Sequence, residues 1–137
     1  MSIRMLAFGV LGLLLLPAAG CNATLRAVGP APEVEQAVIS SMLGAWPEGD
    51  CRMLRGNEAM FESAPASNPG TGVLTFGVAP PGDFIKGRIV EVRITPWDDS
   101  PDAERRIRLA AGQGYLLRGA RRRIEAELER RGFVGGP

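Results

Sequence analysis

The side chains able to do chemistry are few, and the gaps among them inform as much as the residues present. The chain of 137 residues has no histidine and two cysteines, Cys21 and Cys51. Without imidazole the commonest general base and metal ligand is missing, and so is every nucleophile and histidine pair. Carboxylates are what remains for acid and base work, and Asp98, Asp99 and Asp102 stand close together around Trp97. The segment Asp-Asp-Ser-Pro-Asp also has the chemistry of a turn leading into a helix, and it is shorter than a calcium-binding loop. It therefore reads as a cap. Gly112-Gln113-Gly114 has the composition of a phosphate loop, but such loops follow a strand and open a helix. Here the glycines sit inside a helical pattern, so close packing or a kink is expected. No catalytic or cofactor motif is present; the chain is expected to be no enzyme and to carry no cofactor or metal.

Arginines are the other reactive group in number. Arg118, Arg121 and Arg122 fall on one side of a helical pattern by three- and four-residue spacing, with Arg123, Arg130 and Arg131 nearby and Glu125, Glu127 and Glu129 interspersed. Mixed signs describe a solvated, salt-bridged face. The sharper expectation is a surface for anionic lipid head groups or an acidic partner, each arginine adding up to about 1 kcal/mol near an anionic membrane. Residues 22–100 hold ten acids against six basic residues, whereas residues 101–137 hold nine arginines against five acids. The two parts can attract each other, and the overall balance argues against nucleic acid as a partner.

Cys21 is singled out by what precedes it. Arg4 gives a positive start, Met5 to Ala19 form a fifteen-residue apolar stretch, and Ala18-Ala19-Gly20 lead directly into the cysteine. A membrane-spanning helix needs about 20 apolar residues, so this stretch is short for one. It has the anatomy of a signal peptide. The leader resembles that of bacterial lipoprotein precursors, in which small residues occupy the two positions before the cysteine; Ala18 stands where leucine is usual. The resemblance covers the leader and Cys21 only. It implies that the Cys21 thiol takes a diacylglyceryl group, that cleavage falls between Gly20 and Cys21, and that the new amino terminus is acylated. Two or three acyl chains, at about 0.8 kcal/mol per buried methylene, hold a protein on a bilayer without crossing it. Asn22 stands where an aspartate would resemble an inner-membrane retention signal, which favours the outer membrane, facing the periplasm. In a cell with a single membrane the location is its extracellular face. Ordinary secretion after cleavage near Ala19 is the competing reading. With Cys21 lipidated, Cys51 is a lone thiol, expected to be buried; otherwise the two cysteines could form a disulfide worth about 3–4 kcal/mol.

The rest of the sequence must position these groups. Removing residues 1–20 leaves enough chain for one domain burying roughly two thirds of its unfolded surface. Residues 21–31 contain Gly29 and Pro30 and are expected as a lipidated cysteine and tether; residues 32–137 form the domain. Val34, Ala37, Val38, Met42 and Ala45 predict a helix over Pro32–Ala45, ended by Trp46-Pro47. Residues 48–72 read as irregular, with a possible helical turn at Asn57–Glu62. Leu74, Phe76 and Val78, then Val90, Val92 and Ile94, alternate as two strands of a hairpin around Ala79-Pro80-Pro81-Gly82-Asp83. Ile85 and Ile89 have the opposite parity, and Gly87 between them reads as a bulge. Ser100 as cap, Pro101 at the first position and Gly132 as stop predict one long helix of about thirty residues, with Phe133 folding back on Leu128. Trp46 and Trp97 read as lids on the core.

The expected fold is α+β: an N-terminal helix, a β-hairpin or small antiparallel sheet, and a long C-terminal helix in two-layer packing. The expected function is a lipid-anchored envelope protein acting as a small binding, scaffold or assembly module through protein contacts. The alternative is a ligand-binding or enzymatic lipoprotein with a pocket near Arg93, Asp98 and Asp99.

Overall fold

The computed structural model describes residues 21–56, 64–79 and 88–134. The leader, the possible turn at Asn57–Glu62, residues 80–83, Ile85 and Gly87 lie outside the described residues. Strand β1 (Cys21–Val28) leads into helix α1 (Ala31–Met42), followed by β2 (Gly44–Trp46), β3 (Gly49–Met53), β4 (Val73–Ala79), β5 (Arg88–Thr95), β6 (Glu104–Ala111) and helix α2 (Gly114–Arg131). The six strands form one antiparallel sheet in the order β1-β6-β5-β4-β3-β2, curled as a half-barrel. This corrects the expected two-layer α+β fold: the core is dominated by the sheet, and the helices complete it.

Three local corrections underlie that difference. Residues 22–28, expected as part of a tether, are most of β1, Gly29 and Pro30 turn the chain, and Ala31 opens α1. The region after Trp46 is not all irregular, because β2 and β3 form a short hairpin there. The single helix expected from Ser100 onward is a strand followed by a shorter helix. In β6, Arg105, Ile107, Leu109 and Ala111 are buried while Glu104, Arg106 and Arg108 are exposed, the period of two that a sheet with one packed face requires. Gly112 and Gln113 make the turn, so the glycines break the helical pattern instead of packing within it.

Other expectations match. Helix α1 buries Val34, Ala37, Val38 and Met42, ending three residues before Ala45 because Gly44 starts β2. Strands β4 and β5 pair with Leu74 opposite Val92 and Phe76 opposite Val90. Helix α2 stops at Gly132 in the left-handed conformation, and the Phe133 amide donates to the Leu128 carbonyl at 2.9 Å. Trp46 is buried against α2, where a β-carbon on Gly119 would lie 3.2 Å from its ring. Its indole N–H donates to the Met42 carbonyl at 2.8 Å, and the Arg123 guanidinium lies 4.6 Å from the ring centroid.

Both helices pack on the face formed by Leu25, Ala27, Leu74, Phe76, Val90, Val92, Ile107 and Leu109, joining Val34, Val38, Leu116, Ile124 and Leu128 in one core. Each of these larger side chains contributes about 1.5–3 kcal/mol through burial. The opposite face divides in two. Over β3 and β4 it is covered: Leu54, Ala64, Ala79 and Ile89 form a second small cluster, which accounts for the odd parity of Ile89. Over β1, β6 and β5 it is open, with Thr24, Arg26, Glu91, Arg93, Arg106 and Arg108 exposed.

Two buried charges fix the connections. Glu35 accepts the backbone N–H groups of Gly70 at 2.9 Å and Gly72 at 3.2 Å, tying α1 to the turn before β4. Gly72 has φ +83, and a β-carbon there would meet the Ile94 carbonyl at 2.6 Å, so only glycine fits. Arg105 is fully buried and donates to the carbonyls of Gly29, Pro96 and Ser100 and to Oδ1 of Asp98, each at 2.7 Å.

Arg105→Ala should lose about 3 kcal/mol of stability, since it takes the donor from the buried Gly29 carbonyl and from three part-buried acceptors at once; a urea midpoint unchanged from the parent would refute this. Burial pushes the Cys51 thiol up to about 12, against a smaller opposing effect of Arg123. The folded state therefore favours the protonated thiol. That contribution is complete below the unfolded pKa, near 9, and is lost as pH rises toward 12. Native protein at pH 8 should leave Cys51 unmodified by a thiol reagent until denaturant is added; rapid native labelling is the contrary outcome.

Candidate functional site

Cys21 opens β1 with Ala111 as its cross-strand partner, so the turn after β6 brings the start of α2 beside it. A β-carbon on Gly114 would lie 3.9 Å from Cys21 Sγ and 3.3 Å from Arg118 Nη1. The Cys21 side chain is half-buried against the edge of the core. Both cysteines are free thiols. No helix among the described residues is long and apolar enough to cross a membrane.

The three arginines singled out on the C-terminal helix are all exposed on α2 but differ in their engagement. Arg118 lies over Gly114 at the Cys21 end. Arg121 donates to Glu125 at 3.4 Å, an exposed pair worth little. Arg122 lines a shallow depression with Trp46, Pro47, Glu48 and Tyr115. Further along the helix the charges are committed to each other. Glu127 accepts from Arg130 and Arg131, which hold its carboxyl down to about 2, and Arg131 also reaches Ser40 Oγ on α1 at 3.0 Å.

The pocket expected near Arg93, Asp98 and Asp99 is not assembled as such. Asp98 is spent on Arg105, whose hydrogen bond, with that of the Ser100 amide, holds its carboxyl below the usual range. Asp99 is exposed beside it. Arg93 lines a different feature, a shallow depression of about 390 Å³ on the open sheet face with Asn22, Glu91, Arg108, Leu109 and Ala110. Among the described residues no group of three or more Cys, Asp and Glu side chains is placed to hold a metal ion.

The open sheet face is what sequence reasoning missed. Arg93 stands directly opposite Arg108, and Arg26 directly opposite Arg106. Like charges in such pairs are destabilising. Glu104 lies 3.7 Å from Arg26, an exposed and weak pair. The side chains of Arg93, Arg106 and Arg108 make no hydrogen bond or ion pair with another described residue. Four arginines against Glu91 and Glu104 thus make an exposed, net basic surface outside the packed core. The alternation of charge through Glu104, Arg106 and Arg108 was the available signal, once β6 is seen as a strand.

Because Arg93 and Arg108 repel and bond no other side chain among the described residues, changing both to glutamine should leave the fold as stable as the parent or raise it by about 0.2–1 kcal/mol. A marked fall in the melting temperature would mean that the pair has a packing role. No protein-family model, no curated protein and no solved structure matches this chain.

Proposed function

We propose that this chain is a lipid-anchored protein of a bacterial cell envelope, held on a membrane by acyl chains on Cys21 and acting as a binding, scaffold or assembly module through contacts with an envelope protein. The observation that carries the reading is the leader itself: a positive start, a largely apolar stretch from Met5 to Pro17 and Ala-Ala-Gly placed immediately before Cys21. The placement of Cys21 supports it, because a half-buried residue at the very start of an edge strand can carry an acyl group without opening the core.

A contact-making role is favoured over chemistry by how the polar groups are used. Asp98 and Glu35 are committed to holding connections, and Cys51 is buried and protonated. What the described surface offers instead is an edge. Val28 and Ala27 are met by Phe133 and Val134, but between Cys21 and Arg26 the free edge of β1 meets no strand among the described residues. A groove of about 280 Å³ runs beside it, lined by Leu25, Arg26, Glu125, Leu128, Glu129 and Val134. Unpaired edge groups of this kind template the addition of a partner strand. On this reading the protein faces the periplasm, with the outer membrane favoured by Asn22.

Metabolic labelling with radioactive palmitate tests the anchor. The full-length chain should take up label and sediment with membranes, while Cys21→Ser should take up none and become soluble. An intact mass with residue 21 unmodified, or bridged to Cys51, would sink the proposal.

A further inference from the structure

We propose that the open sheet face carrying Arg26, Arg93, Arg106 and Arg108 is a docking surface for the anionic phospholipid head groups of the bilayer that holds Cys21. This deepens, and rests on, the reading of Cys21 as the acylated residue.

The charge on this face has no use within the described fold. Two like-charged pairs lie across neighbouring strands on an uncovered face, and three of the four arginines bond nothing else in the described fold. Such an arrangement lowers the stability of the free protein unless an anion is close. The polar residues between them suit phosphate oxygens: Thr24 is paired with Arg108, and Asn22 lines the same depression as Arg93 and Arg108. That depression is broad and open, the form of a surface that meets a layer of head groups. On the covered half of the same face, over β3 and β4, Ser67 accepts from the Thr75 amide at 2.8 Å.

Position supplies the choice of occupant. Strand β1 starts at Cys21, so no spacer separates the anchor from the sheet. Asn22, the next residue, already belongs to the open face. Thr24, Arg108 and Arg93 form a row about 10 Å along the strand from the anchor, and Arg26 with Arg106 a row about 17 Å along it. Acyl chains in the bilayer thus hold this face at a high effective concentration of head groups. An acidic protein segment would have to displace them. On α2, Arg121 pairs with Glu125, and Arg130 and Arg131 pair with Glu127, which leaves Arg118 and Arg122 as the helix residues to set against the sheet face in the test.

The test uses the chain from residue 21 with Cys21→Ser, which contains every described strand and both helices, so that no acyl chain assists binding. It is sedimented with vesicles of phosphatidylcholine alone and of phosphatidylcholine mixed with phosphatidylglycerol. Binding is expected only to the anionic vesicles, weakening as salt rises. Arg93→Gln with Arg108→Gln should partition about thirtyfold more weakly while melting no lower than the parent, whereas Arg118→Gln with Arg122→Gln should bind as the parent does. Failure to bind anionic vesicles at low salt overturns the proposal, as does a loss confined to the helix variant. Binding of polyglutamate in place of vesicles overturns it too and assigns the face to an acidic protein. Because acylation plays no part in this assay, its outcome is independent of the palmitate result.

Discussion

The architecture hangs on one buried guanidinium. Arg105 occupies an inward position of β6, where its neighbours in the alternation are Ile107, Leu109 and Ala111. A charge in such a place is tolerable only with nearly all its donors engaged, and the fold supplies three carbonyls and one carboxylate from two separate connections. The turn between β1 and α1 and the link between β5 and β6 are thereby held to a single point. Two backbone bonds tighten the same joint, from the Gly29 amide to the Ala103 carbonyl and from the Ala31 amide to the Asp98 carbonyl. Helix α1 therefore leaves the joint in one direction, which sets its apolar face on the core and brings Glu35 to the turn at Gly70.

That same residue explains where sequence reasoning went astray. A charged side chain in an inward position interrupts the apolar alternation of β6, while Ile107, Ala110, Gly114 and Leu117 satisfy helical spacing equally well. Tertiary satisfaction of Arg105 decided between the two periods, and nothing local announces it. Strand β1 was hidden for a different reason: apart from Leu25 its core-facing positions are filled by the small Cys21, Ala23 and Ala27, too little apolar weight to register. The β4–β5 hairpin and α1 were legible because their buried positions hold Leu, Phe, Val, Ile and Met at regular spacing. Of the candidate surfaces, Cys21 was visible through its leader and the α2 arginines through helical spacing. The sheet arginines were not, because they face one side only once β1 and β6 are strands.

Arginine accordingly plays three physical roles in one small protein. Buried, Arg105 organises loops. Half-exposed, Arg123 and Arg131 join elements by stacking on Trp46 and reaching Ser40. Exposed, the sheet arginines face solvent with like charges as neighbours. The net positive charge of residues 101–137 thus says little by itself, since position in the fold separates structural cations from available ones.

The order of strands has a consequence for assembly. Val28 pairs with Glu104 and Cys21 with Ala111, so the opening strand finds its ladder only in the last strand to be made. The neighbouring β4 and β5 can zip locally, and sheet growth outward from them meets the smaller loop-closure cost. A chain delivered amino terminus first carries β1 unpaired until nearly all of it has arrived, and one interrupted before Glu104 is left with an orphaned strand and an exposed edge on β5.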